Sequence, residues 1–281
     1  MEQITYGVDI SKHNGLINWA EVDTSEVGFV IIRAGYGFSQ ADTAFKQNIE
    51  WALSRGIPVG VYWFSYAGTA EQAVREAKGC MNVIEPYRER LTLPVFFDWE
   101  QESLEYAKKQ YGLNSTKATV TAMAKAFCDT LAAAGYAAGV YSSKSYLETL
   151  FGDEVKSKYD VWVAHVRDGQ GNPLEKTTYK GSYAIHQYSW VGHPRGFENS
   201  AGGVDMDKCY KAYGICQGSA ASGSVAASAG AKAAAEADNK VWGVCRWCSS
   251  KADAEALKSI LGEGFAMVSK NGGQGAQGKD E

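Results

Sequence analysis

The stretch LPVFFDWE, residues 93 to 100, joins a run of apolar residues to two acids that flank a tryptophan. An uninterrupted apolar run is typical of a strand buried on both faces in a parallel α/β sheet. Because side chains alternate along a strand, Asp98 and Glu100 are expected on one side and Trp99 on the other. The carboxyl ends of strands carry the catalytic residues of β/α barrels. The stretch therefore predicts either an acid pair at an active site or a strand that simply reaches water.

Strand-like and helix-like segments alternate along most of the chain. Repeated strand, helix, strand order predicts parallel pairing with right-handed crossovers, and eight such strands predict a closed, TIM-like β/α barrel that is irregular in its last third. A doubly wound open sheet is the alternative, but AGYGFS at 34–39 lacks the third glycine of a phosphate-binding fingerprint. The predicted strands are 4–10, 28–37, 57–67, 93–100, 137–143, 159–166, 183–190 and 203–210, and the predicted helices are 43–56, 69–87, 115–135 and 144–150.

Composition restricts the classes of partner. The 281-residue chain is 45% hydrophobic and carries a net charge of −4, which supports a sizeable core and argues against nucleic acid as the main partner. No apolar run reaches the ~18 residues of a membrane helix. The N-terminal MEQITYGVDISKHNG has neither a basic nor an apolar signal region, so we expect synthesis in the cytoplasm without a signal peptide.

Further acids are expected at the same rim of the barrel. Asp9 lies near the end of the first predicted strand and Asp205 near the end of the last, and these strands are neighbours in a closed barrel. An acidic cleft suits a glycosidase, in which one carboxylic acid protonates the leaving oxygen and a second carboxylate stabilises the sugar cation or positions a nucleophile. The other polar and aromatic side chains expected at this rim are Tyr62, Trp63, Tyr66, Tyr141, Gln187 and Tyr188.

Seven segments taken together resemble glycoside hydrolase family 25, the Chalaropsis-type lysozymes (N-acetylmuramidases) that are common as phage endolysins. They are YGVDISKHNG, FVIIRAGYG, GIPVGVYWFSYA, PVFFDWE, AGVYSS, AIHQYSW and VDMDKCY, and they extend over residues 4–213. The resemblance implies an irregular barrel of five β/α units and three further strands, which agrees with the strand count.

The resemblance also implies roles for individual residues. Glu100 matches the general acid, and Asp98 matches the acid that stabilises the oxocarbenium ion or its N-acetyl-assisted intermediate. Asp9 and Asp205 match two supporting aspartates, and Tyr62 matches an aromatic residue at the floor of the cleft. We extend the predicted substrate-binding set to Tyr141 and Gln187.

Three positions depart from the family pattern, and one further acid is expected to have a structural role. Trp63 stands where many members have His, and His13-Asn14 where many have Trp-Gln. We expect Asp207, two residues after Asp205, to form a helix cap or a salt bridge.

The implied reaction is hydrolysis of the β-1,4 bond between N-acetylmuramic acid and N-acetylglucosamine in peptidoglycan glycan strands, without a cofactor or metal. Retention and inversion both stay open, because side-chain rotamers decide the distance between the two carboxyls. A non-catalytic glycan-binding protein and a chitin-type glycosidase are the alternatives.

The C-terminal quarter has a different character. We expect the catalytic barrel over 1–213, a Gly/Ala/Ser-rich linker over 214–236, a small β-α-β unit over 237–270 and a disordered tail over 271–281. The segment VWGVCRWCSSKADAEALKSILGEGFAMVS resembles half of a SPOR domain, which implies cell-wall targeting through glycan strands. A stabilising or self-associating appendage is the alternative.

The six cysteines do not have the spacing of a metal site. Cys80 and Cys128 lie in helical patterns and are expected to be buried apolar residues. A zinc site at Cys245 and Cys248 would need Cys209 and Cys216, whose spacing is not that of a zinc ribbon, so a disulfide or simple burial is favoured.

Overall fold

The structure is a computed structural model that describes residues 4–172, 174–200 and 202–214. The predicted linker, β-α-β unit and tail, and Cys216, Cys245 and Cys248 with them, lie outside the described residues. The described part contains nine strands: β1 Thr5–Ile10, β2 Val30–Tyr36, β3 Gln40–Ala41, β4 Val59–Phe64, β5 Val95–Asp98, β6 Ala138–Ser143, β7 Asp160–Ala164, β8 Ile185–Gly192 and β9 Val204–Cys209.

Eight of these strands close into a barrel, as predicted, and the open-sheet alternative is wrong. The strands pair in the order β1, β9, β8, β7, β6, β5, β4, β2, and β1 also pairs with β2 to complete the ring. Around the barrel, pairing is parallel from β1 through β2, β4, β5, β6 and β7 to β8, but β9 runs antiparallel to both β8 and β1. The two-residue β3, outside the ring, pairs antiparallel with β2. The predicted parallel pairing therefore does not extend to the last strand, which returns antiparallel in the part of the barrel that was expected to be irregular.

The described part also contains six α-helices: α1 Phe45–Ser54, α2 Ala70–Ile84, α3 Gln101–Tyr111, α4 Lys117–Ala133, α5 Lys144–Thr149 and α6 Asp153–Lys156. Short 3₁₀ helices cover Lys12–Asn14 and Glu85–Arg90. None of the helices in the described ranges is long and apolar enough to cross a membrane.

Local sequence explains where the helices begin and end. Thr69 and Thr116 cap α2 and α4, each accepting a hydrogen bond from a backbone N–H in the first turn. The helix predicted over 69–87 ends earlier, at Ile84, because Pro86 cannot donate a backbone hydrogen bond and the chain continues as a 3₁₀ helix. Helix α3 was not predicted, because most of its residues are exposed and its apolar stripe is weak.

Strand alternation divides the buried residues into two clusters. Val95, Phe97 and Trp99 face outward into the large core between the barrel and the helices. Phe96 faces inward and belongs to the smaller cluster that fills the barrel interior together with Tyr62, Trp162 and others. The same alternation points Asp98 inward, as expected from the quoted stretch. Cys80 and Cys128 are fully buried in the outer core, as predicted.

Candidate active site

The first pair of acids lies on neighbouring strands at one rim of the barrel. Asp9 faces inward because its neighbours Val8 and Ile10 belong to the outer core, and it stands directly opposite Asp205 in the β1–β9 ladder. Asp205 is at the start of β9 rather than near its end, which corrects the sequence-based expectation. The antiparallel direction of β9 brings that start to the rim where the parallel strands end.

The second pair of acids comes from the junction between β5 and α3. Asp98 is the last residue of β5, and Glu100 is the N-cap of α3, where its backbone N–H donates to Ser103 Oγ at 3.1 Å. The two carboxyl groups are close enough for each to shift the pKa of the other. Asp98 Oδ1 is buried and has no amide, hydroxyl or amine partner within the described ranges. Trp99 is fully buried on the outer side, so Asp98 and Glu100 lie together, as the alternation predicted.

A buried glutamine links the first acid pair to the tyrosine on β6. Gln187 Nε2 donates to Asp9 Oδ2 at 2.7 Å and approaches Asp205 Oδ2 at 3.5 Å. Gln187 Oε1 accepts from the Tyr141 hydroxyl at 3.0 Å and from Trp190 Nε1 at 3.1 Å. The amide therefore holds the acids of β1 and β9 and the hydroxyl of Tyr141 in one hydrogen-bonded network.

These groups meet at a single cavity of about 250 Å³. Both acid pairs, Tyr62 and Tyr141 line it, and Gln187 lies just behind them with 1% of its surface exposed. The structure thus brings all seven predicted site residues together. The remaining lining residues are Ser11, His13, Asn14, Arg33, Phe64 and Trp162.

Burial governs the electrostatics of the cavity. It raises the pKa of Asp98, to which the neighbouring Glu100 charge also contributes, and it raises the pKa of Glu100. Burial, with the Asp205 and Asp207 charges, raises the pKa of Asp9. Burial and the Glu100 charge raise the pKa of Asp205 to about 6. Crowded carboxyls in a confined space therefore retain protons at a higher pH than free carboxyls do.

Arg33 is a lining residue that the sequence reasoning missed. It lies on β2, where its Nε donates to Asp42 Oδ2 at 2.7 Å, and its buried Nη2 has no partner among residues the structure describes. A lone cation within the otherwise apolar run FVIIRAGYG was the signal that could have identified it, since a buried charge requires a partner or a function.

Three of the aromatic residues expected at the rim lie elsewhere. Trp63 alternates with Tyr62 and faces the outer core, where its Nε1 donates to Gly37 O at 2.8 Å. Tyr188 is on the outer surface of β8, against Tyr6. Tyr66 packs on Phe64 beside the cavity but does not line it.

Asp207 forms neither a helix cap nor a salt bridge, so that prediction is wrong. It is fully buried inside the barrel, where its Oδ1 accepts a hydrogen bond from Trp162 Nε1 at 2.7 Å. Two residues after Asp205 on the same strand, it faces the same interior, and the alternation of β9 could have predicted this.

Paired carboxyls at the mouth of a closed β/α barrel are the arrangement that barrel glycoside hydrolases use. The family model for glycosyl hydrolases family 25 matches residues 8–197, and the chain belongs to this family.

Individual relatives agree with this membership. Lysozyme M1 from Streptomyces globisporus is 26% identical over 204 residues, which are 72% of this chain and 66% of that protein. The autolysin LytC from Streptococcus pneumoniae is 32% identical, with a TM-score of 0.62, over 75% of this chain and 47% of LytC. The chain thus spans less than two thirds of either relative. The catalytic domain of endolysin ply40, from a bacteriophage of Listeria monocytogenes, shares the fold at 24% identity and a TM-score of 0.59, over 76% of this chain and 96% of that domain.

Proposed function

We propose that the protein is a peptidoglycan hydrolase, an N-acetylmuramidase that cleaves the β-1,4 bond between N-acetylmuramic acid and N-acetylglucosamine in bacterial cell walls. The observation that carries the proposal is the convergence of two acid pairs, from β5–α3 and from β1–β9, on one cavity; in each pair one carboxyl is buried and the other half-buried. A relative is a lysozyme by name, and LytC has been solved in complex with a synthetic peptidoglycan ligand.

In this proposal the adjacent carboxyls of Asp98 and Glu100 supply the acid catalysis. The raised pKa of each group keeps a proton on the pair to a higher pH than free carboxyls would. Glu100 is the less buried of the two, so it donates the proton to the glycosidic oxygen as the bond breaks. Asp98 is ionised while Glu100 holds the proton of the pair. The Asp98 carboxylate stabilises the developing oxocarbenium ion, or the N-acetyl group that attacks this ion.

The opposite wall is proposed to bind and orient the sugar. Asp9 and Asp205 face the cavity from adjacent strands, and they support the positive charge that develops on the ring. Tyr62 forms the floor, and Tyr141 and Gln187 offer hydrogen-bonding groups next to these acids. All of these groups come from barrel strands, so the site is preorganised before substrate binds.

A turbidity assay on purified cell walls tests the activity. Wild-type protein is expected to clear the suspension and Glu100→Gln is not. Clearing by both proteins would remove Glu100 from its role, and clearing by neither would reject the hydrolase. A non-catalytic glycan-binding protein would instead sediment with the walls and leave turbidity unchanged.

The cleaved bond is identified from the products. Mass spectrometry of the released and reduced muropeptides is expected to show N-acetylmuramic acid at the reducing end. N-acetylglucosamine at that end would contradict a muramidase, and release of chitin oligosaccharides from chitin at a comparable rate would favour the chitin-type alternative.

We further propose that residues 237–270, which resemble half of a SPOR domain, target the barrel to glycan strands stripped of peptide stems. Full-length Glu100→Gln is incubated with insoluble peptidoglycan before and after an amidase removes the stems. More protein is expected to sediment after the treatment. Unchanged sedimentation contradicts targeting, and concentration-dependent dimerisation in sedimentation velocity would favour the self-associating appendage.

We also propose the role of a phage endolysin. Co-expression with a membrane-permeabilising holin is expected to lyse a susceptible bacterium, and Glu100→Gln is not. Equal lysis by the two proteins would contradict this role.

A further inference from the structure

Asp207 is a buried acid that has no role in the proposed catalytic mechanism. Its side chain lies inside the barrel with no exposed surface, and only Oδ1 has a conventional partner, Trp162 Nε1 at 2.7 Å. Its Oδ2 is buried and receives no hydrogen bond from any amide, hydroxyl or amine within the described ranges. An ionised oxygen in that position would be desolvated without compensation, which is strongly unfavourable.

The neighbour of this carboxyl is the carboxyl of Asp9. Asp207 pairs with Gly7 on β1 and with Gln187 on β8, one inward-facing position below Asp9. The two carboxyls are close enough for each to shift the pKa of the other. Two carboxyl oxygens can hydrogen-bond only if one of them carries a proton, so the buried, unpartnered Oδ2 of Asp207 beside Asp9 favours a shared proton.

The surroundings supply no positive charge to replace that proton. The titratable groups around the pair are Asp205 and Cys209 on the inner face of β9, Tyr62 on β4 and Tyr141 on β6, with Tyr188 on the outer face of β8. None of these groups can carry a positive charge. Within the described ranges, neither Asp9 nor Asp207 forms an ion pair, and Arg33 is bound to Asp42.

We infer that Asp207 is a positioning residue, which holds Asp9 against Gln187 through a proton shared between the two buried carboxyls. Asp9 also accepts from Gln187 Nε2 at 2.7 Å, and Gln187 Oε1 accepts from the Tyr141 hydroxyl. The shared proton therefore anchors a chain of hydrogen bonds that runs from the barrel interior to the wall of the cavity. It also limits the pair to one negative charge beneath the site.

The first test measures stability against pH and does not depend on activity. Burial, assisted by the Asp205 charge, raises the pKa of Asp207 to about 8. The stability that this group contributes is present below its unfolded pKa of about 3.9 and is lost as pH rises through the folded value. Asp207→Asn keeps an acceptor for Trp162 and gains a donor for Asp9, but it cannot ionise.

The full-length wild type is therefore expected to lose more Tm between pH 5 and pH 8.5 than Asp207→Asn does. Glu50→Gln, at an exposed carboxylate of α1, is the control and should follow the wild type. Equal slopes for wild type and Asp207→Asn would overturn the shared proton. If Asp207→Asn does not fold, ¹³C NMR of aspartate carboxyl groups in the wild type decides instead. A carboxyl that stays protonated above pH 6 and loses its proton near pH 8 is expected, and its absence overturns the inference.

The second test concerns positioning, and it rests on the proposed muramidase activity. Asp207→Asn is expected to retain kcat within about threefold at pH 5.5, because the amide still donates to Asp9. Asp207→Leu removes both hydrogen bonds and is expected to lower kcat about tenfold or more, with a smaller effect on KM. Equal activity of the two variants would overturn the positioning role. If the wild type clears no cell walls, the proposed function fails, while the pH-dependent melting still tests the shared proton.

Discussion

Replacement of Glu100 by glutamine separates the chemistry of the cavity from its stability. The substitution preserves the shape of the side chain, its place as the N-cap of α3 and its contact with Asp98. It removes the ability to deliver a proton, together with the negative charge of the ionised group. A positioned general acid contributes about 10² to 10⁴ in rate, so we expect kcat to fall roughly 10³-fold, or about 4 kcal/mol of transition-state stabilisation.

The same change is expected to stabilise the fold at neutral pH. In the wild type the Glu100 charge is the second cause, after burial, of the raised pKa of Asp98. Glutamine abolishes this repulsion and offers its amide N–H to the Asp98 carboxylate. A gain of about 1 kcal/mol would raise Tm by about 2–4 °C in a domain of this size. Since a raised acid pKa costs stability only at pH values above the unfolded pKa, the gain should disappear near pH 4.

Two measurements on the same preparations check this prediction. Cell-wall turbidity gives the rate, and differential scanning calorimetry at pH 4 and pH 7 gives Tm. Glu105→Gln, at an exposed position of α3, is the matched control and should change neither quantity strongly. A variant that keeps more than a tenth of wild-type activity, or that is less stable than wild type at pH 7, would refute the reasoning.

Three further predictions concern the titration of the site, the barrel interior and the strand contacts. The activity of the wild type should decline with rising pH through a pKa above the ordinary glutamate value of about 4.3, because burial raises the pKa of Glu100; a pH–rate profile whose alkaline limb lies at or below that value would contradict this. Phe96→Ala should cost about 3–5 kcal/mol in urea unfolding, because the ring fills the interior beneath the cavity with no exposed surface, and a loss under 1 kcal/mol would show that the interior collapses around the gap. Gly139→Ala should lower Tm, because its Cβ would lie 2.5 Å from the Phe96 ring and 2.8 Å from Asp160 O. Gly56→Ala is the comparison, since its Cβ meets no atom within 4 Å and only its positive φ causes strain. A larger loss of Tm in Gly56→Ala than in Gly139→Ala would contradict the packing argument.

Most of the site could be predicted because it depends on local alternation along strands. The alternation of side chains along LPVFFDWE predicted that Asp98 and Glu100 lie together and that Trp99 faces the other way. The same rule, applied to VYWF, excludes Trp63 from the interior once Tyr62 is placed there, so that error was avoidable. The face of the sheet to which a residue points depends on local alternation, so it can be predicted from a single sequence.

The direction of β9 could not be predicted in the same way. A strand pattern is the same in both directions. The absence of a helix between β8 and β9 does not decide the direction, because no described helix lies between β7 and β8 either, and these two strands pair parallel. Asp205 reached the predicted rim for a different reason from the one supposed. Helix α3 was missed because its sequence has few apolar residues to reveal a buried face, although Glu100 and Ser103 cap it reciprocally.

The outer core and the barrel interior contribute differently to stability, and this difference explains how the interior tolerates crowded acids. The outer core between strands and helices contains most of the large buried aliphatic residues and supplies most of the hydrophobic stabilisation. The interior holds a much smaller apolar cluster, which separates the cavity from the opposite end of the barrel. Because the strands are fixed from outside, Asp9, Asp98 and Asp207 can stay buried although each resists ionisation. Neutral isosteres at these three positions should therefore raise stability at pH 7 even where they abolish activity.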